Sequence, residues 1–239
     1  MNLFYAPDIE ETPFLPEDES QHTVKVLRMK PGERIHVIDG AGGLYEAEIT
    51  NIHPKHCEVK IIQKTAEYGK RNHYLHIAIA PTKNMERMEW FVEKAVEIGI
   101  DEITPLACRF SERKVLNTAR LQKIILSAAK QSLKAYLPKL NEMTDFRAVA
   151  GAAGGNKYMA HCHEGEKTLL QNACRQGSPA LVLIGPEGDF SREEIALATG
   201  NGFQPVSLGS SRLRTETAGI VACHTVNLLN EIVRRPTNA

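Results

Sequence analysis

Two glycine-punctuated segments of this chain carry more polar chemistry than a connector needs. The first is Leu181-Val-Leu-Ile-Gly-Pro-Glu-Gly-Asp-Phe190, followed by Ser191-Arg-Glu-Glu194. It reads as a buried strand, a tight turn and a capped helix. Gly185 and Gly188 let the backbone approach a ligand closely, and Pro186 stiffens the bend. Ser191 and Glu194 have the spacing of a capping box, in which each side chain accepts from the other's backbone N–H. The second segment is Leu208-Gly-Ser-Ser-Arg-Leu-Arg-Thr-Glu-Thr-Ala218, which leads into the apolar run Ala218, Val221, Ala222, Leu228 and Leu229. A cap there needs only one of Thr215 or Thr217. The surplus of arginine, glutamate and threonine before a helix N-terminus, whose free N–H groups favour anions, points to a site.

A third candidate is electrostatic. From Arg113 to Lys139 the chain carries Arg113, Lys114, Arg120, Lys123, Lys130, Lys134 and Lys139 with no acidic residue between them. Leu121, Ile124, Ile125, Ala128, Ala129, Ser132, Leu133 and Tyr136 form one helical stripe, and Arg120, Lys123, Lys130 and Lys134 fall on the other side. Basic groups that project together neutralise phosphates, whereas a solvated helix face is the plain reading of the same run. His161-Cys162-His163 has metal-ligand residue types but no obvious fourth group. Cys223 and His224 are adjacent on a helix and do not face each other, so core packing accounts for them.

These segments need elements to hold them. Asn2 to Tyr5, Arg34 to Asp39, Leu44 to Thr50 and Cys57 to Lys64 alternate at period two and read as strands, with Asp39-Gly-Ala-Gly-Gly43 turning the second into the third. Pro7, Pro13, Pro16 and the acidic Glu17-Asp-Glu19 mark a loop before a short segment, His22 to Arg28. A small β-barrel is the expected outcome. After the linker Glu67 to Asn72 the period changes. Strands at Tyr74 to Ala80, Glu102 to Leu106, Lys157 to Cys162, Leu181 to Ile184 and Pro205 to Leu208 alternate with helices. These run from Met85 to the Gly99 stop, over Leu121 to Tyr136, near Glu166 to Cys174, and over Arg192 to Thr199 and Thr217 to Val233. That alternation predicts an α/β domain, a mainly parallel sheet with helices on both faces, whose ligands sit beyond the C-terminal strand ends. Gly151-Ala-Ala-Gly-Gly155 reads as a flexible loop and lacks the Lys-Ser/Thr of a P-loop.

Composition narrows the class. Among 239 residues, 29 basic and 29 acidic groups cancel, and 42% hydrophobic with 24% charged residues is a globular balance. The cancellation hides asymmetry: residues 1–70 hold 8 basic and 12 acidic groups, residues 71–150 hold 13 and 9, and residues 151–239 hold 8 and 8. No apolar stretch approaches the ~18 residues of a membrane span, and the N-terminus lacks the pattern of a secretory signal. A cytoplasmic protein without a membrane partner is expected. Its five scattered cysteines, Cys57, Cys108, Cys162, Cys174 and Cys223, read as reduced thiols without disulfides or a structural zinc.

GPEGDF and LGSSRLRTETA closely resemble the two C-terminal signatures of the RsmE family, which methylates N3 of a uridine in 16S ribosomal RNA. The resemblance extends to His22, Val26-Leu27-Arg28, the Gly32 turn, Asp39-Gly40, Lys83, Arg87-Met88-Glu89, Lys94, Glu97-Ile-Gly-Ile100, Ile103, Pro105, Gln131-Ser132 and Pro138. It implies a PUA-like RNA-binding β-barrel over residues 1–70 and a SPOUT methyltransferase domain with a deep trefoil knot over residues 73–239. It further implies S-adenosylmethionine as cofactor, a homodimer, no metal, and 16S ribosomal RNA, in the small ribosomal subunit, as the partner. Cofactor contacts are implied for Leu183, Gly185, Pro186, Glu187, Gly188, Leu208, Gly209, Leu213, Arg214 and Thr215. RNA contacts are expected from Arg28, Lys83, Arg87, Lys130 and Lys134. Three positions depart from the family's pattern: Asp189 replaces a glycine, Ser211 a proline and Lys134 an arginine. Aspartate tolerates a positive φ better than most side chains, and lysine keeps the charge without the bidentate fork.

Methylating N3 of uracil requires loss of its proton, because the neutral imide nitrogen has no lone pair free for attack. A guanidinium beside O2 or O4 stabilises the anion while a carboxylate or a water takes the proton, so Arg214 is expected to stabilise charge and Glu216 to act as base. Two other readings stay open: an RNA-binding or ribosome-assembly protein in which Asp189 has ended transfer, and a SPOUT methyltransferase acting on a different nucleoside, such as a ribose 2′-hydroxyl. Resemblance over the whole chain argues against the latter, and cofactor binding tests the former.

Overall fold

The computed structural model describes residues 2–151 and 154–232. Ala152 and Ala153 of the glycine-rich segment, Val233 at the end of the last expected helix, and residues 234–239 lie outside the described residues. The described residues form two compact units, one within residues 1–70 and 126–137, the other within residues 71–125 and 138–232.

In the first unit, β1 (Leu3–Tyr5), α1 (Glu17–Gln21), β2 (Arg34–Ile38), β3 (Leu44–Asn51) and β4 (Glu58–Thr65) follow one another. The strands make a four-stranded sheet ordered β1-β2-β3-β4, with β1 parallel to β2 and the other pairs antiparallel. Period-two alternation turns Ile35, Val37, Tyr45, Ala47, Ile49 and Val59 inward, where they share a core with Phe4, Ile9 and Leu15. The β2–β3 hairpin forms where its glycines predict. Asp39 Oδ1 accepts from the N–H groups of Ala41 at 2.7 Å and Gly43 at 2.9 Å. Gly42, at φ 107°, leaves room for the Tyr136 ring, whose Cζ would lie 2.2 Å from an added Cβ. The His22 to Leu27 segment is a π-helical turn that ends on Arg28 at φ 54°.

The second unit runs β5 (Leu75–Ile79), α2 (Met85–Ile98), β6 (Glu102–Ala107), α3 (Thr118–Gln131), β7 (Lys139–Leu140), β8 (Thr144–Asp145), α4 (Phe146–Ala150), β9 (Asn156–Ala160), β10 (Thr168–Leu169), α5 (Leu170–Ala173), β11 (Ala180–Ile184), α6 (Arg192–Gly200), β12 (Gln204–Ser207) and α7 (Thr215–Ile232), the last turns of α3 excepted. Its strands are all parallel, in the order β10-β12-β9-β11-β5-β6-β7, with β8 also on β6. On one face, Phe146 and Val149 of α4 and Ala198 of α6 pack over Ala78, Met159 and Leu183. On the other, α7 lies on β5 and against α2, close enough that a Cβ on Gly219 would stand 2.6 Å from the Phe91 ring and 2.9 Å from Ile79.

Two helices are shorter than their patterns predict. The stripe through Tyr136 extends α3, yet the helix stops at Gln131. Leu133 takes φ 56° and the Lys134 N–H closes onto Ala129 O at 2.9 Å, a Schellman-type end that frees Tyr136 to bridge Gly40 and Ala41. The helix expected near Glu166 to Cys174 shrinks to α5, because Thr168 and Leu169 pair with β12 and Lys167 Nζ donates to the carbonyls of His161 and His163. Strands as short as β7 and β10, two residues each, carry no readable period.

Candidate cofactor and RNA site

Because β12, β9 and β11 are neighbours and parallel, the loops that follow them leave the sheet at one end. Those loops are His161–His163 after β9, Gly185–Phe190 after β11 and Leu208–Arg214 after β12. Leu183, Gly185 and Pro186 are buried, while Glu187 and Gly188 are exposed. The turn closes through the Asp189 N–H to Pro186 O at 2.9 Å. Gly185 is needed where it stands: a Cβ would lie 3.0 Å from the Phe190 ring. Beyond the turn the expected capping box is present, with the Glu194 N–H on Ser191 Oγ at 3.2 Å and the Ser191 N–H on Glu194 Oε2 at 2.8 Å.

The two signature segments meet. Thr215, buried at the start of α7, donates from Oγ1 to Gly185 O at 3.1 Å. Gly209 turns at φ 128°, Leu208 and Leu213 are half-buried, and Ser211 and Arg214 are exposed. Arg214 O accepts the Ala218 N–H at 2.8 Å, the first bond of the helix, which fixes the backbone from which its guanidinium projects. Glu187 accepts the Lys83 N–H at 3.0 Å, so the loop between β5 and α2 joins the same end of the sheet.

Glu216 is turned inward, with Oε1 3.8 Å from Arg87 Nε. A residue expected to touch RNA and a residue expected to take a proton are therefore partners. Lys83 sits 2.9 Å from Glu112, at an exposed pair worth little in stability. In the first unit Arg28 is exposed, and Lys134 follows the left-handed Leu133. Lys130, half-buried, has its ammonium 2.6 Å from buried Glu19 and 5.9 Å from the centroid of the Phe4 ring. The acid-free run is not acid-free in space, since Arg120 meets Glu89 at 2.6 Å and Lys139 meets Glu102 at 3.2 Å.

The loop after β9 lies beyond the cofactor residues that the resemblance implies. Both ring nitrogens of His161 are buried without a hydrogen-bond partner, and burial, with Lys167 nearby, pushes its imidazole below the usual histidine range. A cleft of about 470 Å³ opens there, lined by His161, His163, Glu164, Arg192, Ile195 and Ala196. Only strand order places it beside the signature loops, so sequence offered no signal beyond unusual residue types. None of the five cysteines, all among the described residues, is in a disulfide. Among the described residues no group of three His, Cys, Asp or Glu side chains is arranged to hold a metal ion, and no helix is long and apolar enough to cross a membrane.

Comparison with known proteins adds to this geometry. Residues 70–227 match the family model described as an RNA methyltransferase domain, and residues 15–62 match the RNA methyltransferase PUA domain. The ribosomal RNA small subunit methyltransferase E of Synechocystis sp. is 31% identical over 96% of this chain and 78% of its own length. The crystal structure of a probable rRNA methyltransferase from Porphyromonas gingivalis is 42% identical, covers 98% of this chain and 100% of its own, and superposes with a TM-score of 0.93. That of ribosomal RNA small subunit methyltransferase E from Neisseria gonorrhoeae, bound to S-adenosylmethionine, is 28% identical over 96% of this chain and 98% of its own, with a TM-score of 0.82.

Proposed function

That the chain belongs to the RsmE family of RNA methyltransferases is the premise from which we propose its reaction: methylation of N3 of one uridine in 16S ribosomal RNA, with S-adenosylmethionine as donor. The observation that carries the reading is the Thr215 bond to Gly185 O, which unites two signature segments thirty residues apart at adjoining strand ends.

The residues at those ends suit the cofactor. His161 offers two buried ring nitrogens that lack a hydrogen-bond partner, Gly209 leaves backbone groups approachable, and Leu208 and Leu213 offer apolar surface for an adenine. When bound, the cofactor supplies a methyl group activated by its sulfonium. Leu183, Gly185, Pro186, Glu187, Gly188, Leu208, Gly209, Leu213, Arg214 and Thr215 form the pocket. Arg214 stabilises the charge that develops on O2 or O4 as N3 loses its proton. Glu216 accepts that proton, with Arg87 fixing the orientation of its carboxylate. Arg28, Lys83, Arg87, Lys130 and Lys134 contact the RNA, and Lys130 also holds Glu19 at 2.6 Å. Much of the rate comes from holding base and donor in line.

Finer features of the fold belong to the same reading. A barrel formed by the N-terminal sheet is supported by backbone bonds from Leu15 N–H to Cys57 O and Val59 N–H to Pro13 O, which continue the sheet beyond β4. A trefoil knot is supported by the tie between the β11 and β12 loops across β9, a strand that precedes both. Trp90 of α2 and Leu228 of α7, large exposed apolar side chains on packed helices, favour a homodimer. The substrate places the reaction in the cytoplasm, on RNA of the small ribosomal subunit. Calorimetric titration with S-adenosylmethionine and S-adenosylhomocysteine is the first test, followed by mass spectrometry of 16S RNA from treated small subunits. Saturable binding that weakens in Leu213→Ala, together with N3-methyluridine in the RNA, is the expected result. Absence of binding by both ligands, with RNA present as well as without it, overturns the reading.

A further inference from the structure

Asp189 has φ 65°, a left-handed backbone that glycine adopts freely and aspartate adopts at a cost. Its carboxylate shows what offsets that cost. Oδ1 accepts the Phe190 N–H at 2.8 Å, a local bond of the kind that aspartate makes in many turns. Oδ2 accepts the Cys162 N–H at 2.7 Å, and this bond runs from the loop after β9 to the loop after β11, 27 residues apart. A second bond parallels it: His163 Nε2 lies 2.7 Å from Phe190 O, and 3.9 Å from Asp189 Oδ2. The two loops are thus held at one point by two bonds, each between a side chain of one loop and a backbone group of the other, beside His161, whose ring nitrogens have no hydrogen-bond partner.

We propose that Asp189 is a positioning residue for the cofactor pocket, its carboxylate clasping the β9 loop to the β11 loop so that the wall bearing His161 is set before any ligand arrives. The proposal deepens the cofactor reading of this site and rests on it. A glycine at this position relaxes the backbone but removes the acceptor of the Cys162 N–H. The β9 loop then has to be ordered on binding, and that ordering weakens affinity. Asparagine tolerates the left-handed conformation and keeps one acceptor oxygen, so it retains one of the two bonds and loses the charge that strengthens them. A role in backbone geometry alone predicts the reverse ranking, with glycine the best residue for the pocket.

The test uses the full chain carrying Asp189→Gly or Asp189→Asn. Melting temperature, hydrogen exchange of the Cys162 amide without cofactor, calorimetric affinity for S-adenosylmethionine, and KM for the cofactor against kcat are measured together. In Asp189→Gly the melting temperature holds or rises, Cys162 exchange accelerates, affinity falls about fivefold to tenfold, and KM rises more than kcat falls. Asp189→Asn lies between. Wild-type affinity in Asp189→Gly, or unaltered Cys162 exchange, overturns the proposal. A wild-type chain that binds neither S-adenosylmethionine nor S-adenosylhomocysteine overturns the cofactor reading and the positioning role with it; Cys162 exchange then reads the clasp on its own.

Discussion

Two turns of this molecule are built from an aspartate and glycines, and they are completed in different ways. In Asp39–Gly43, every partner of the carboxylate is local: the Ala41 and Gly43 N–H groups and the Tyr45 hydroxyl, at 3.0 Å, lie within six residues. In Gly185–Phe190, the partners come from afar. Asp189 reaches back 27 residues to Cys162, Thr215 reaches Gly185 across 30, and the Lys83 N–H meets Glu187 across 104. The Asp39 carboxylate finds its partners within the hairpin, even though the backbone of that turn also meets Ala135 and Leu137, while the carboxylate of the ligand loop takes a partner that the sheet brings beside it. The first turn therefore stabilises its unit, and the second shapes a site.

The sharpest break of that contrast is Gly42→Ala. An added Cβ would overlap the Tyr136 ring at φ 107°, so chemical denaturation should show a loss of about 2–4 kcal/mol. A loss under about 1 kcal/mol would mean that the Tyr136 ring gives way and the turn does not need its glycine. Next is Thr215→Val, which leaves buried Gly185 O without its side-chain donor. Stability should fall by about 1–3 kcal/mol and affinity for S-adenosylmethionine should fall with it. Equal affinity in that variant would show that the two loops do not depend on each other. Asp39→Ala should cost about 1–2 kcal/mol while affinity for S-adenosylmethionine stays at the wild-type value, separating a turn that only stabilises from one that also shapes a pocket.

The smallest effect is read through pH, at a cluster remote from the loops in sequence. Glu102 accepts from Asn141 Nδ2 at 2.6 Å and from Tyr74 Oη at 2.7 Å. Burial raises its pKa, but Asn141, Tyr74, His76 and Lys139 outweigh burial and bring it from 4.5 to about 2. A carboxylate with a lowered native pKa contributes its stability above the unfolded value and loses it on acidification. The stability difference between wild type and Glu102→Gln should thus be full above about pH 4.5 and shrink as pH falls toward 2. A difference independent of pH would show that the cluster contributes only packing.

Local signals were legible in the sequence. The Ser191–Glu194 capping box, the glycine hairpin and the alternation of strands and helices all form where spacing predicts, because each depends on residues a few positions apart. Helix ends were less legible. The apolar stripe continues past Gln131 because Tyr136 packs on the Gly40–Gly42 turn, and periodicity does not distinguish a helix from a loop that also packs. The basic run shows the same blindness for charge. Glu19 pairs with Lys130 from 111 residues away, so a segment without acids in sequence has one in space.

What the sequence determined by itself is the kind of each major element, and that the two signature segments follow strands and open helices. Turn residues, caps and periodicity act over a few positions and need no partner elsewhere in the chain. Tertiary structure alone decided which strands are neighbours. Period two says which face of a strand is buried but not what lies beside it, and the order β12-β9-β11 is what sets Cys162 beside Asp189 and Gly185 beside Thr215. The packing of α2 against α7 likewise decided that Arg87 meets Glu216. Such pairings depend on the whole chain having folded, since each contact joins segments whose approach no local preference encodes.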